Sequence, residues 1–429
     1  METLLFIALL LLLLFLRIPV YVSLFLTGMF GLVAFTSLDL VFVAQTMLMK
    51  LQNFTLICIP FFLLLGAVMV EGRSARQLIE VARRLVCWLP GGLAMTSVVS
   101  SALFGAISGS GISTVVTVGG VMFPFMKERG YPRSFSVGLV TSASILGMII
   151  PPSIVMVICA LTAGVSVVRL FAAGYLPGAV IALALMVYVY VSVHRQGLAS
   201  RTTEPFDLRL LGRAVRQAAM PLLIIVVLFA GVYSGAFTVT EASVVACFLA
   251  VVTEWLIYRS VDLRKLRALF VSSGILSGTL VITIGGAGVL SEYITIRGIP
   301  QHILEVAIAH VPNWAIFMML VTSVLLVMGT FMDPIASIMI LVPILMPIVQ
   351  QFGIDPIHFC LIVNVALGVG YITPPLGLML YATAACTGER FMFIVRATIP
   401  TLLVYIVVLY VLSVVPWFST AIPDLLFPR

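Results

Sequence analysis

Apolar residues run along this chain in unbroken blocks, with little of the alternation that marks a half-buried strand. The blocks fall at roughly 4–16, 20–36, 54–70, 92–126, 134–161, 171–193, 218–236, 241–258, 268–291, 314–350, 358–386 and 394–418. Most have the ~20 residues a helix needs to cross a bilayer. Two of them, 92–126 and 314–350, are about 35 residues long, too long for one crossing, and are interrupted at the middle. Each predicts a helical hairpin that dips into the membrane and returns to the same face.

Basic residues orient the pattern. They cluster at Arg73, Arg76, Arg83 and Arg84; at Lys127, Arg129 and Arg133; at Arg195, Arg201, Arg209, Arg213 and Arg216; and at Arg259, Arg264, Lys265 and Arg267. With all four clusters on the cytoplasmic face, as positive charge beside spans favours, the 92–126 hairpin enters from the cytoplasm and the 314–350 hairpin from the opposite face. The fold expected is therefore an all-α polytopic membrane protein with ten full spans, two opposed re-entrant hairpins and both termini outside. Residues 292–312 (Glu292, Arg297, His302, Glu305, His310) read as an interfacial helix. The organisation predicted is 1–53 as N-terminal scaffold spans, 54–193 as a first repeat, 194–267 as a cytoplasmic loop and linking spans, 268–418 as a second repeat, and 419–429 as a tail.

Composition agrees. Of 429 residues, 62% are hydrophobic and 9% charged, with a mean hydropathy of +1.24, whereas soluble domains carry about 25% charge. A net charge of +7 would suggest nucleic acid in a soluble chain; here it records orientation. Met1 to Leu16 has no basic stretch ahead of it and no small-residue cleavage site, and reads as a first membrane segment. The cysteines (Cys58, Cys87, Cys159, Cys247, Cys360, Cys386) show no metal or disulfide spacing, and His194, His302, His310 and His358 show no ligand spacing. No nucleotide motif appears, so an ion gradient is the simplest drive and no cofactor beyond a coupling ion is expected.

An internal repeat sharpens the picture. Pro124, Gly130, Gly147, Pro151, Pro152 and Pro177 each have an identical residue 223 positions later: Pro347, Gly353, Gly370, Pro374, Pro375 and Pro400. Opposed hairpins with such a repeat are the signature of inverted-topology transporters, whose sites lie near the midplane at broken helices. Four breaks are legible. Two are hairpin tips, Gly105 to Gly111 and Gly329 to Pro334. Two are interrupted spans, Ile150-Pro151-Pro152-Ser153 and Thr373-Pro374-Pro375-Leu376-Gly377. Proline frees carbonyls by removing a backbone donor, glycine allows close approach, and irregular backbone survives at this depth only when it is buried or lines a cavity.

The 223-residue offset pairs Ser110 with Asp333 and Thr141 with Asn364. Two related sodium sites are expected. One would use Ser108, Gly109, Ser110, Thr141 and backbone at Pro151; the other Gly329, Thr330, Asp333, Asn364, Thr373 and Pro374. Pro152, Ser153, Pro375 and Gly377, beside the two interrupted spans, are the candidates for substrate, since helix N-termini at breaks present N–H groups and positive dipole ends. Small residues such as Ser108-Gly109-Ser110 also suit close helix packing, whereas an intramembrane acid such as Asp333 is costly and usually functional. Glu241 reads as a helix cap.

These stretches resemble the large membrane subunit of tripartite ATP-independent periplasmic (TRAP) transporters over nearly the whole chain. The resemblance rests on the SGSG core of 105–119, Gly130-Tyr131 through Phe135, IIPPS at 149–153, LFAAGYLPG at 170–178, FTVTEA at 237–242, MDPIASIMILVPILMPI at 332–348 and NVALGVGYITPPLGLMLY at 364–381. It implies a bacterial inner-membrane permease that works with a small four-helix membrane subunit and a periplasmic substrate-binding protein. It also implies sodium-driven import of an organic acid by elevator-type motion of the 94–170 and 314–390 regions. The chain departs from the family pattern at Met379 (often Asn), Val239 (often Pro) and Phe125 (often an acid). The alternatives are a stand-alone ion-coupled anion carrier and an intramembrane lipid-modifying enzyme using Asp333 and His358.

Overall fold

The computed structural model describes residues 2–427 apart from 17, 37 and 198–204. Arg201 of the third basic cluster and the last two residues of the expected tail therefore lie outside the described residues. The described chain is helical throughout. It opens with α1 (Glu2–Phe15), α2 (Val20–Phe35) and α3 (Leu40–Leu51), the last capped by the Asp39 carboxylate on the Phe42 N–H at 3.0 Å. Asn53 caps a short 3₁₀ turn that leads into α4 (Cys58–Glu71). After the bend at Gly72 comes α5 (Ser74–Val86), whose Leu78, Ile79 and Ala82 are buried while its arginines line the other side.

The first hairpin follows. Its descending limb is α6 (Gly92–Ser108). The return limb is α7 (Gly111–Thr114), one π-helical turn over Val115–Gly119, and α8 (Gly120–Glu128). The first interrupted span is α9 (Arg133–Ala143), α10 (Leu146–Ile149) and α11 (Ile154–Ala163), bent by 44° at the proline doublet. Next come α12 (Val167–Arg195), the amphipathic α13 (Leu208–Gln217), α14 (Ala219–Tyr233), α15 (Val239–Val252) and the 34-residue α16 (Leu263–Ile296). The expected interfacial helix is α17 (Ile299–His310); Glu292 belongs to the end of α16 and Arg297 is its C-cap. The second hairpin is α18 (Trp314–Phe331) and α19 (Pro334–Gln351). The second interrupted span is α20 (Pro356–Gly370) and α21 (Leu378–Thr387), and α22 (Phe391–Val414) and α23 (Trp417–Leu426) close the chain.

By length and composition, seven described helices can cross a membrane, nine when each bent pair is one span. Two of the seven, α18 and α19, are limbs of the second hairpin. The other expected crossings are α1, α2 and the split α20–α21, each built of helices shorter than 18 residues. Besides the expected interfacial helix, four helices stand where the hydropathy pattern shows no apolar block, α3 among them. The amphipathic α5 and α13 bury only one face, and α23 occupies most of the stretch read as a tail.

The repeat is visible in the coordinates. Gly130 (φ +80°) and Gly353 (φ +67°) each end a return limb, both proline doublets are joined by cis peptide bonds, and Pro177 and Pro400 lie inside α12 and α22. The two halves interlock. The first interrupted span packs on α22 of the second repeat, where the Gly138 position lies against the Ala397 carbonyl: a Cβ there would be 2.1 Å from that oxygen. The second interrupted span packs on α12 of the first. One continuous apolar core joins both repeats, and α16 runs beside it in contact with α2, α3, α4 and α19.

Candidate functional site

The four breaks do not lie apart. At the first tip the chain leaves α6 through Gly109 in the left-handed region (φ +57°), which glycine adopts without steric cost. A Cβ on Gly109 would stand 2.5 Å from the Pro152 carbonyl oxygen, so the tip rests directly on the first proline doublet. Ser110 caps the return limb by accepting the Ser113 N–H at 3.4 Å. Below it, the Thr114 hydroxyl donates to the Ser110 carbonyl at 2.8 Å and lies 3.3 Å from the Ser108 hydroxyl. Ser153, fully buried, caps α11 through the Met156 N–H at 3.4 Å.

The second tip is the counterpart with a charge. Asp333 caps α19, its Oδ2 accepting the Ile335 N–H at 2.9 Å, while its Oδ1 accepts the Tyr371 hydroxyl at 2.6 Å. The Gly377 N–H donates to the Thr330 carbonyl at 3.4 Å, which ties the tip to the second break. Gly329 meets Gly370 backbone to backbone, as Gly105 meets Gly147 in the first half. Thr330 and Thr373 hydroxyls bond back to Val327 and Val369 of their own helices.

A cavity of about 150 Å³ brings the tips together. It is lined by Gly109 and Ser110 of the first hairpin, Asp333 of the second, Met148 and Tyr371 just before the two proline doublets, and Leu280 of α16. Ser110 and Asp333, paired by the sequence offset, therefore face one space. The doublets differ in their surroundings: Pro151, Pro152 and Ser153 are buried, whereas Pro374, Pro375 and Leu376 are exposed.

Two predicted residues lie away from the tips. Thr141, fully buried, bonds to Thr383 of α21 at 3.1 Å and to Val137. Asn364, equally buried, donates from Nδ2 to the Cys360 carbonyl at 2.7 Å, and its Oδ1 has no hydrogen-bond partner. An orphaned buried oxygen is costly unless something binds it. Thr114, Tyr371 and Thr383 join the polar frame although the sequence reading did not single them out. Thr114 could have been found, one helical turn after Ser110. Tyr371 could not, because its counterpart at the offset is the apolar Met148. Met379 closes the site from the second break, its methyl lying where a Cβ on Gly111 would fall, 2.4 Å away. His358 is remote from Asp333, bonding instead to Ser419 at 2.9 Å and the Ser413 carbonyl at 3.1 Å.

Residues 7–418 match the model of a family described as the tripartite ATP-independent periplasmic transporter, DctM component. The chain belongs to that family. It is 40% identical, over 374 residues and 87% of each chain, to the C4-dicarboxylate TRAP transporter large permease protein DctM of Pseudomonas aeruginosa. It is 31% identical to the isethionate TRAP transporter permease protein DctMQ of Oleidesulfovibrio alaskensis, over 93% of this chain and 63% of that one. Its fold is also similar to the crystal structure of the YdaH transporter of Alcanivorax borkumensis, with a TM-score of 0.63 over 98% of each chain at 15% identity. The chain is thus a TRAP large permease, a multi-pass membrane transporter subunit rather than an enzyme.

Proposed function

We propose that this permease imports a small organic acid across the bacterial inner membrane by sodium symport, receiving it from a periplasmic binding protein and working with a small membrane subunit. The observation that carries the proposal is the shared cavity between the two tips. Ser110 and Asp333 are N-caps of the two return limbs, so the positive ends of two helices face the space where a carboxylate would lie. The same tips supply hard oxygens suited to an alkali cation, Ser108, Thr114 and the Ser110 carbonyl at one and Asp333 and Thr330 at the other, and the unpartnered Asn364 Oδ1, away from the tips, adds a further acceptor. Both Asp333 oxygens carry one donor each and keep lone pairs for a cation.

The difference in exposure between the two proline doublets suits an elevator, in which the hairpins and interrupted spans (α6 to α11 and α18 to α21) move against a scaffold that includes α16. The DctMQ relative supports the small subunit, since this chain spans only part of its length and its printed name joins a second component. The family itself supports the periplasmic partner. Pro152, Ser153, Pro375 and Gly377, the sequence candidates for substrate, sit at the doublets beside this cavity and are not among the residues that line it.

The test is uptake by proteoliposomes holding this chain and its small subunit, supplied with the loaded periplasmic protein. Uptake is expected in a sodium gradient and not when choline replaces sodium. Asp333→Asn and Ser110→Ala are each expected to reduce it at least about tenfold, the effect of losing one charge-assisted contact of ~1.4 kcal/mol or more. Equal uptake without sodium would overturn the coupling.

A further inference from the structure

A second cavity lies apart from the tips, on the seam between α16 with its neighbours and the hairpin-bearing part. It encloses about 270 Å³, close to the lower end of small-ligand pockets. One wall is Lys50 at the end of α3, Asn53 just after it, and Ser291 of α16; the other is Thr162 at the end of α11 with Met339 and Pro343 of α19. Its polar lining holds donors and hydroxyls and no acid.

Lys50 is exposed, and its stem packs on α16. Its aliphatic stem crosses α16 at Gly288, where a Cβ would stand 2.5 Å from Lys50 Cγ. A side chain at 288 would push the stem away. Among the described residues Lys50 has no ion-pair partner. The Asn53 carboxamide oxygen is taken up by the Thr55 N–H at 3.0 Å, which leaves its NH₂ group to offer. Lys50, Asn53 and Ser291 therefore line one cavity whose lining includes no carboxylate.

The cavity also faces the entry side. The span Phe54–Glu71 separates Lys50 and Asn53 from the Arg73 cluster, which the positive-inside rule places in the cytoplasm. We infer that this cavity is an anion-receiving subsite, in which the Lys50 ammonium holds a carboxylate of the incoming acid on the periplasmic side before it reaches the tips. The inference rests on the organic-acid reading above and adds a station that the tip residues do not form. Because the two walls belong to the proposed fixed and moving parts, a bound carboxylate here would be released as α11 and α19 shift.

The experiment uses the full complex in proteoliposomes with radiolabelled succinate as the probe. Lys50→Gln is expected to raise the half-saturating concentration about tenfold, the loss of one charge-assisted hydrogen bond, with the maximal rate within about twofold of wild type. Lys50→Cys should show the same defect, relieved by an aminoethyl thiosulfonate that restores an ammonium and not by the methyl reagent, which restores only bulk. A purely structural role for Lys50 would not distinguish the two reagents. Gly288→Val should copy the defect with Lys50 intact.

Equal half-saturation in wild type and Lys50→Gln would overturn the subsite alone. A Lys50→Gln defect present in vesicles containing phosphatidylglycerol and absent in pure phosphatidylcholine would also overturn it, by assigning the ammonium to a lipid phosphate. Absence of succinate uptake by the wild-type complex, and of uptake of any other acid its periplasmic protein binds, would sink the transport reading and this inference together.

Discussion

At the residue scale the site depends on positions that tolerate no added atom. Gly109 combines a left-handed φ of +57° with the Pro152 carbonyl 2.5 Å from any Cβ, so both conformation and space exclude a side chain. Gly109→Ala is expected to move the tip off the doublet. Its backbone cost alone is about 1–2 kcal/mol, and the clash with a carbonyl, which cannot rotate away, adds to it. Thermal unfolding in detergent should show a lower midpoint than wild type, and uptake should fall further than stability; an unchanged midpoint would mean that the tip has room to move. The sequence alone pointed to the tip residues and to Asp333, because glycine runs and an acid inside apolar blocks are rare enough to stand out. It did not reveal that Tyr371 holds Asp333 or that Thr141 bonds across to Thr383. Those contacts depend on which helices become neighbours, and no spacing along the chain encodes that.

At the element scale the hydropathy blocks located the long helices and both hairpins, and missed α3, α5, α13 and α23. The reason is physical: α5 and α13 alternate apolar and arginine-bearing faces, so a mean over the segment hides them, as it does not hide a span that is apolar all round. The helix-capping role expected for Glu241 is present. Its carboxylate accepts the Thr238 N–H at 2.8 Å while the Thr238 hydroxyl accepts the Glu241 N–H at 3.2 Å, a reciprocal capping box that starts α15.

A second carboxylate anchors α5. Glu254, in the π-helical turn that ends α15, is 1% exposed. It accepts the Arg73 N–H at 3.0 Å, the Ser74 N–H at 2.9 Å and the hydroxyls of Ser74 and Ser260. It thus fills the N-terminus of α5, where free N–H groups and the helix dipole favour an anion. Gly72 leaves the space for it, since a Cβ there would meet the carboxylate. Because α5 packs on α6, this anchor positions the first hairpin. Glu254→Gln turns one acceptor into a donor facing donors. A loss of about 1.5–3 kcal/mol, the range for hydrogen bonds to a charged group, is expected in the unfolding free energy. A variant as stable as wild type would show that the anchor is redundant.

At the scale of the whole molecule the organising fact is that two repeats of opposite expected orientation deliver their tips to one small cavity. The six-residue match at an offset of 223 foretold paired breaks. It did not foretell that each interrupted span would pack on the last long helix of the other repeat, which is what draws the tips together. Nor did it foretell the unequal surroundings of the two proline doublets, since identical residues carry no record of which side is open.

The central claim, that Ser110 and Asp333 frame a common sodium-binding space, is tested most directly by the thermal unfolding midpoint of the purified chain in sodium chloride against choline chloride at equal ionic strength. A ligand that binds only the folded state raises stability with its concentration. The midpoint is expected to climb with sodium in the wild type and to lose that climb when Ser110→Ala and Asp333→Ala are combined. A sodium response of the same size in the double variant, or none in the wild type, would contradict it.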